Sequence, residues 1–394
     1  MARSPFTLAA AATAALEGVE VRGARALTAG GAGRYDSAVL TLDDGRELIA
    51  RVPVDEDGEK EIDALLVALR ALTPGVRDLL GLQAPEVHGT AALDDSRVIV
   101  SDFLPGYLVD AAEIPPGRGV AREIGEAIAR IHALPPSVVR GAGLPSRSAS
   151  DARADLERLL DAIGRSGRVP VRLMVRWREA AEDDRLWSYE PTVTLGGAQA
   201  TSFVFVDDAF EVPRVRGVLD WQGLAIGDPA IDLHWTASAP DAAEDVLDAY
   251  ADASVRAPDP ALRVRARLHA ELEFAHWLVH GIETHRADVV DDAAELLDSL
   301  SAGLADDLLL ADLPTGEQAD VSEAIALLDR LPRTPAPQTD TSLHTDAYGP
   351  DELSLHREES WDAAPPRPAP EEELTQPIDP ISDDDAETDR IDQV

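Results

Sequence analysis

The sequence contains no cysteine, and this absence excludes several kinds of chemistry at once. Without thiols the chain can form no disulfide, zinc–thiolate site, iron–sulfur cluster or cysteine nucleophile. Aromatic residues make up only 4% of the chain. Lysine occurs once, at Lys60, so nearly every positive charge is an arginine. We interpret this preference as the codon bias of a GC-rich genome more than as a chemical requirement.

Positive charge and long apolar runs are also scarce. The chain has 35 Lys and Arg against 74 Asp and Glu, a formal charge of −39, so nucleic acid and anionic membranes are not expected partners. No stretch approaches the roughly 20 apolar residues that a spanning helix needs. The run Phe6–Leu16 is too short and has no convincing cleavage site, and it predicts a short amphipathic helix in a cytoplasmic protein.

The acidic residues are concentrated at the end of the chain. Of the 394 residues, 334–394 include 17 acids, 3 arginines and 9 prolines without an apolar period. Such a segment cannot bury enough surface to offset its ordering entropy, so we predict a disordered tail over 334–394. It is interpreted as a solubilising tail, with docking of a protein partner through Trp361 or the terminal acidic cluster as the alternative.

The first part of the chain is typical of a small α+β lobe. Alternating or short apolar runs predict strands, a glycine cluster and an Asp44-Gly45 turn predict tight connections, and a helical period follows. The predicted strands are Val19–Leu27, Ala38–Leu42, Glu47–Val52, Glu86–His88 and Val98–Gly106, and the predicted helix is Glu59–Leu72. We assign residues 1–106 to this lobe.

Helical periodicity dominates from Gly119 onward. The predicted helices are Val120–Leu134, Ala152–Ile163, Arg172–Asp183, Ala242–Ala253, Ala261–His285, Asp291–Leu308 and a capping helix at Asp320–Leu331. One strand pair, Val193–Val206 with Val218–Trp221, interrupts them. We therefore predict a bilobal protein, with a larger helical lobe over 107–333 and a cleft between the lobes as the natural ligand site.

Two motifs in the second lobe resemble the aminoglycoside and macrolide phosphotransferases of the kinase-like family. Residues 128–135 read Ile-Ala-Arg-Ile-His-Ala-Leu-Pro, similar to that family's helix ending in Leu-His-x-Leu-Pro. Residues 218–233, which include Asp220-Trp221 and Gly227-Asp228-Pro229, resemble its Ile-Asp-Trp-Glu and Gly-Asp-Pro-x-x-Asp-Leu segment. The resemblance spans about residues 20–310 and implies a bilobal protein-kinase-like fold.

The resemblance also implies a nucleotide site in the first lobe, for ATP with Mg²⁺. A glycine turn would cover the phosphates, a basic residue on the third strand would pair with an acid on the next helix, and the hinge backbone would bind adenine. The residues that match these features are Gly31, Gly33, Arg51, Glu61, Asp102 and Leu104. Arginine in place of the family's lysine keeps the charge but changes the donor geometry.

The catalytic loop departs from the family's His-Gly-Asp-Leu-x-x-x-Asn motif. Leu195 stands for the histidine, Gly197 for the catalytic Asp and Ser202 for the metal-binding Asn. Glycine has no carboxylate to position or deprotonate the acceptor hydroxyl, and serine is a short, neutral replacement for the amide. The metal site therefore keeps at best Asp220.

No nearby residue replaces the lost carboxylate in this alignment. Neither Asp, Glu nor His occurs between Pro191 and Val206, and Asp207 and Asp208 are more typical of a turn. Gln199 could orient a hydroxyl, but an amide is a poor proton acceptor.

The remaining polar residues of the two motifs favour structural roles. Asp228 and Asp232 lie near a helix start, where a carboxylate caps exposed N–H groups, and His132 would brace the loop. Two roles remain open for Asp220: metal ligation, or an inherited hydrogen-bonding role that is now structural. Glu273, His276 and His280 share a helical face but lack the His-Glu-x-x-His order, so ordinary core or surface histidines are favoured there.

Three functions remain open at this point. The first is a phosphotransferase-family protein that is catalytically impaired, like a pseudokinase, and binds a nucleotide or small molecule. The second is an active ATP-dependent kinase of a small hydroxylated molecule, such as an antibiotic or sugar, because phosphoryl transfer depends mostly on positioning and electrostatics. The third is a non-catalytic interaction protein.

Overall fold

The computed structural model describes residues 3–16, 18–27, 34–94, 96–117, 119–257, 259–304 and 307–313. The predicted glycine turn at Gly30–Gly33, the predicted capping helix at Asp320–Leu331 and the acidic tail at 334–394 lie outside the described residues. Within the described part of the chain, no helix is long and apolar enough to cross a bilayer.

Five antiparallel strands form the sheet of the first lobe, in the order β1-β2-β3-β5-β4. A tight turn at Asp44-Gly45 joins β2 to β3, and Gly45 takes a φ of +86° there, which glycine adopts without strain. The strands are β1 (Val21–Ala26), β2 (Tyr35–Leu42), β3 (Glu47–Pro53), β4 (Val87–Leu93) and β5 (Ser96–Asp102).

A helix covers each face of this sheet. Helix α1 (Pro5–Ala15) begins where Ser4 Oγ accepts the Thr7 N–H at 3.1 Å, and its buried Leu8 packs in one apolar cluster with the sheet. Helix α2 (Glu56–Ala71) buries Ile62 and its neighbours against the other face. The predicted helix at Phe6–Leu16 is therefore part of the folded lobe.

Eight further helices follow. They are α3 (Pro74–Leu80), α4 (Val120–His132), α5 (Ser137–Gly141), α6 (Ala149–Ser166), α7 (Val171–Glu182), α8 (Ala243–Ala253), α9 (Leu262–Glu283) and α10 (Ala287–Gly303). Helix α4 packs closely on α8, since a Cβ added at Gly125 would lie 2.4 Å from the Val246 carbonyl oxygen. It ends just before Pro135-Pro136, as the sequence predicts.

The predicted strand pair of the second lobe was partly wrong. The range Val193–Val206 is not one strand: it divides into β6 (Thr192–Thr194) and β7 (Phe203–Asp207), separated by the loop 195–202. Strand β7 pairs with β8 (Pro213–Val218), and β6 pairs with β9 (Ala225–Gly227). The loop breaks the strand because two successive glycines in it take positive φ values.

Two backbone hydrogen bonds join the chain that leaves the sheet to the helical lobe. Tyr107 donates its N–H to the Phe205 carbonyl at 3.0 Å, and Phe205 returns a 2.8 Å bond to the Tyr107 carbonyl. The result is a bilobal α+β fold with a strand-rich first lobe and a helical second lobe, as predicted.

Candidate functional site

A buried carboxylate fixes the shape of the loop 195–202. Asp232 accepts hydrogen bonds from the backbone N–H groups of Leu195 at 2.6 Å, Gly197 at 2.8 Å and Ala198 at 3.1 Å. Burial alone would raise the pKa of Asp232, but the hydrogen bond and charge of His132 and these N–H groups outweigh burial and lower the pKa. Asp232 therefore remains ionised and holds the loop through its backbone.

His132 supports this carboxylate from the end of α4. Its Nε2 lies 3.1 Å from Oδ2 of Asp232, and its Nδ1 lies 3.0 Å from the Tyr250 hydroxyl. The Thr192 hydroxyl donates a 2.6 Å bond to the His132 carbonyl, which ties α4 to β6. The bracing role predicted for His132 is confirmed. Asp232 is structural as predicted, but it binds N–H groups of the loop and not those of a helix start.

Asp228 also has the structural role that the sequence favours. It accepts the Ala230 N–H at 2.9 Å, where the 3₁₀ helix Pro229–Ser238 begins, and it binds Arg265 at 2.9 Å and His269 at 3.0 Å. Burial alone would raise the pKa of Asp228, but His269 and Arg265 lower it to about 2. All the carboxylate's partners are therefore supplied by the protein.

Gly197 is the residue that the sequence predicts to stand for the family's catalytic Asp. Its φ is +116°, a conformation that residues with a side chain rarely adopt. A Cβ built at Gly197 would meet only one atom, Cε1 of His234 at 3.8 Å. The loop itself thus supplies no carboxylate, and the space above Gly197 borders a histidine.

Ser202 and Asp220 form the part of the site that faces the first lobe. The Ser202 hydroxyl accepts the Gln199 N–H at 3.0 Å and donates a 2.7 Å bond to Oδ2 of Asp220. The other oxygen, Oδ1, accepts no hydrogen bond from any residue that the structure describes. Asp220 lies two residues after β8 and is half-buried. One oxygen is thus fixed in place while the other is available.

This donor set is consistent with one hydrated Mg²⁺ ion. Magnesium usually keeps several waters and takes one or two carboxylates together with phosphate oxygens, so a single free carboxylate oxygen beside a hydroxyl is sufficient. In the described ranges, no group of three or more His, Cys, Asp or Glu side chains forms a cage for a metal ion. The residues therefore fit a metal held mainly by nucleotide phosphates and do not fit a metal bound by protein alone.

Arg51 lies on β3 and is half-buried beside this pair. Burial lowers its pKa, while the negative charge of Asp220 and an interaction with Tyr35 act in the opposite direction. Its guanidinium makes no hydrogen bond to any described residue. The charge of Asp220 therefore compensates that of Arg51, and all the N–H donors of the Arg51 guanidinium remain available.

The predicted pairing of Arg51 with Glu61 does not form. The Tyr35 hydroxyl donates a 2.5 Å hydrogen bond to Oε2 of Glu61, and Arg34 forms an ion pair with Oε1. Tyr35 is the first residue of β2, and Arg34 directly precedes it. Glu61 is thus occupied by other groups, and it does not orient Arg51 directly.

The remaining nucleotide-site predictions fall on the hinge and the glycine turn. Gly31 and Gly33 lie outside the described residues. The Asp102 carboxylate accepts the Glu86 N–H at 2.9 Å and lies 2.7 Å from His88 Nε2, so its side chain ties β5 to β4. The Leu104 N–H has no hydrogen-bond partner among the described residues. Only backbone groups of the hinge are therefore available to the base of a nucleotide.

Sequence reasoning missed a polar chain beside Gly197. Nε2 of His234 lies 3.0 Å from Nε2 of Gln199 and 2.8 Å from Oε1 of Glu273, and its Nδ1 lies 2.5 Å from the Ile231 carbonyl oxygen. His234 and Glu273 are 39 residues apart, so no local pattern links them. Only the position of His234 two residues after Asp232 places it near the loop.

Asp207 and Asp208 do not replace the lost carboxylate. Asp207 accepts a 2.6 Å bond from the Tyr107 hydroxyl, and Asp208 accepts the N–H groups of Phe210 and Val212 in the turn between β7 and β8. Both are engaged at the hairpin, as the sequence predicts.

The comparisons with known proteins agree with this geometry. A sequence profile described as the phosphotransferase enzyme family matches residues 27–261, more than half of the chain. The chain belongs to the phosphotransferase enzyme family. A search of curated proteins finds no match.

Solved structures extend the family match to the fold. The apoenzyme of macrolide 2'-phosphotransferase MphH from Brachybacterium faecium is 25% identical, with a TM-score of 0.61 over 75% of this chain and 98% of that chain. A type I macrolide 2'-phosphotransferase is 21% identical, with a TM-score of 0.60 over 74% and 96%. The GDP complex of wild-type aminoglycoside 2'-phosphotransferase-IIIa is 14% identical, with a TM-score of 0.61 over 76% and 99%. This member of the phosphotransferase family therefore has a kinase-like fold.

Proposed function

We propose that this phosphotransferase-family protein binds a nucleoside triphosphate with one divalent cation between its lobes, and that its transfer of the γ-phosphoryl group is impaired. The observation that carries the proposal is the 2.7 Å bond between Ser202 and Asp220, which leaves Oδ1 of Asp220 available beside Arg51. The impairment follows from Gly197, because the loop provides no carboxylate to receive the hydroxyl proton.

Each part of the nucleotide has a partner in this proposal. Arg51 directs its free guanidinium donors at the phosphates, and the unpaired N–H of Leu104 donates a hydrogen bond to an acceptor atom of the nucleotide base. Asp220, assisted by Ser202, is the protein ligand of the cation, and a bound Mg²⁺ would neutralise charge on the phosphate oxygens. The roles of Gly31 and Gly33, which lie outside the described residues, stay predictions from the sequence.

The identity of the nucleotide and acceptor is taken from the chemistry of related structures. One solved relative is a complex with GDP and kanamycin, and another is a macrolide phosphotransferase, so both guanine and adenine nucleotides and both antibiotic classes belong in the assay. A cytoplasmic location, where nucleoside triphosphates are available, is part of the same proposal. Docking of a protein partner on the acidic tail stays a prediction.

Calorimetry of ATP and GTP on the full chain, with and without Mg²⁺, tests the proposal. We expect micromolar binding that depends on Mg²⁺, and we expect Asp220→Asn to remove the magnesium dependence, because an amide still accepts the Ser202 bond but ligates Mg²⁺ poorly. Asp298→Asn, an exposed carboxylate on α10, is the matched control. Absence of heat at millimolar nucleotide would contradict the proposal and favour an interaction protein.

A second candidate function is an active small-molecule kinase. One observation favours it: His234, which is bonded to the carboxylate of Glu273, borders the space above Gly197, where the family's carboxylate would lie. Transfer of radiolabelled γ-phosphate to a macrolide or to kanamycin distinguishes an active kinase from an impaired one.

A further inference from the structure

His234 lies between the loop 195–202 and α9. Its Nδ1 is 2.5 Å from the Ile231 carbonyl oxygen, and its Nε2 is 2.8 Å from Oε1 of Glu273 and 3.0 Å from Nε2 of Gln199. Burial alone would lower the pKa of His234, but the hydrogen bond and charge of Glu273 outweigh burial and raise it. The ring is therefore fixed beside Glu273 and the loop.

Glu273 differs from His234 in its access to solvent. The side chain of His234 is 4% exposed, whereas that of Glu273 is 57% exposed. Only Oε1 of Glu273 accepts a hydrogen bond from a described residue, so Oε2 is available to a ligand. A buried histidine thus orients a carboxylate whose second oxygen is free.

Glu273 is connected to the loop 195–202 through His234. Its Oε1 lies 2.8 Å from Nε2 of His234, and the same ring nitrogen lies 3.0 Å from Nε2 of Gln199 in the loop. Cε1 of His234 is 3.8 Å from the position that a Cβ at Gly197 would take. Glu273 is therefore the carboxylate bonded to the histidine that borders Gly197.

We propose that Glu273, which lies outside the loop, is the catalytic residue that receives the acceptor's proton in the residual transfer that this impaired protein retains, and that His234 is its positioning residue. The inference rests on the proposed nucleotide site. The acceptor hydroxyl oxygen forms the new bond to the γ-phosphorus, and the bond from that phosphorus to the β,γ-bridging oxygen breaks. The bridging oxygen leaves with the electron pair on the nucleoside diphosphate, and the hydroxyl proton moves to Oε2 of Glu273.

A carboxylate of low basicity is adequate for this step. Phosphoryl transfer passes through a loose transition state, in which the acceptor oxygen has formed little bond and the proton is lost late. The hydrogen bond from His234 lowers the pKa of Glu273, burial opposes this, and the charges of His234 and His276 add to the lowering. Glu273 is therefore ionised at neutral pH and ready to orient a hydroxyl.

The test compares Glu273→Gln with Glu283→Gln, an exposed carboxylate at the end of the same helix. Transfer of γ-phosphate from ATP or GTP to water, kanamycin and a macrolide is measured with the full chain, and nucleotide affinity is measured in parallel. We expect Glu273→Gln to lower the transfer rate at least tenfold with unchanged nucleotide affinity, and Glu283→Gln to change neither.

The outcomes separate this inference from the proposed function. If the wild-type chain does not bind nucleotide, the proposed function is overturned. A wild-type chain that binds nucleotide but transfers phosphate to none of the three acceptors would overturn the inference alone. Equal rates in wild type and Glu273→Gln would overturn it as well.

A pH profile tests the positioning role of His234. Groups that act on the charge of Glu273 are His234 from the 3₁₀ helix and His276 from α9 itself. Because the transfer rate falls as pH drops through the pKa of Glu273, His234→Gln should move the acidic limb to higher pH. Circular dichroism over the same range confirms that the variant stays folded. An unmoved limb would show that His234 does not act through Glu273.

Discussion

The Ser202 hydroxyl donates a 2.7 Å hydrogen bond to Oδ2 of Asp220, and Oγ of Ser202 accepts the Gln199 N–H. One short side chain therefore connects the catalytic loop to the residue that follows β8. The sequence aligns Ser202 with the residue that the family uses as a metal ligand. Here the serine fixes one carboxylate oxygen and leaves the other available.

Replacing Ser202 by Ala tests the value of this bridge. The change removes a buried hydroxyl that binds the Gln199 N–H and the charged Asp220, so we expect the free energy of unfolding to fall by about 1–3 kcal/mol. Urea denaturation measures the loss. Ser299→Ala, an exposed hydroxyl bonded within α10, should change stability by less than about 0.5 kcal/mol. A loss at Ser202 no larger than at Ser299 would contradict the bridge.

Removing the Asp232 carboxylate should have a larger effect. Asp232→Ala leaves three backbone N–H groups of the loop unbound and His132 without its acceptor. We expect a loss of about 3–5 kcal/mol in the free energy of unfolding, as for a broken buried pair. Asp298→Ala on the exposed face of α10 is the control, and similar losses in the two variants would show that Asp232 does not hold the loop.

The backbone at Gly197 predicts a cost for any side chain there. Gly197→Ala places a Cβ on a residue with a φ of +116°, so we expect a loss of about 1–3 kcal/mol although the space is open. Gly75, near the start of α3, has no positive φ and no atom near its Cβ position, so Gly75→Ala should stabilise by about 0.4–1 kcal/mol. Thermal and urea unfolding of both variants measure the contrast, and equal effects would exclude strain at Gly197.

Acid should weaken the fold through Asp228. His269 and Arg265 outweigh burial and lower its pKa from 3.8 to about 2, so the folded state binds this proton less readily than the unfolded state. The stabilisation is present above pH 3.8 and is lost as the pH falls toward 2. It amounts to about 2 kcal/mol. Urea unfolding at several pH values should show a smaller decrease for Asp228→Asn than for the wild type, and parallel curves would contradict this assignment.

Local patterns in the sequence predicted most of the fold. The apolar period of α4 and its end at Pro135-Pro136 are local features, and so is the order of Asp228 and Asp232 around a helix start. Val193–Val206 was misread because it contains no charged residue and is mostly apolar or small, while its path depends on Gly196 and Gly197. Backbone angles of this kind are not visible in a hydrophobic pattern.

The site was harder to predict because its contacts join distant parts of the chain. The partners of Glu61 are Arg34 and Tyr35, and predicting them in place of Arg51 requires knowing how α2 packs against the sheet. The pairing of His234 with Glu273 depends on how the 3₁₀ helix packs on α9. The sequence predicts where the family's carboxylate is missing, but it could not show which side chains lie beside Gly197.

Helix α1 has a consequence for handling this protein. Leu8 and Ala12 are buried in the same cluster as Leu40, Leu48 and Val98, and the Ala15 carbonyl lies against Gly89 so closely that a Cβ there would be 1.9 Å away. Proteolytic clipping within the first sixteen residues would leave this leucine-rich side of the sheet bare to water. The clipped product should then precipitate or pair with itself, even though every residue of the cleft would be intact.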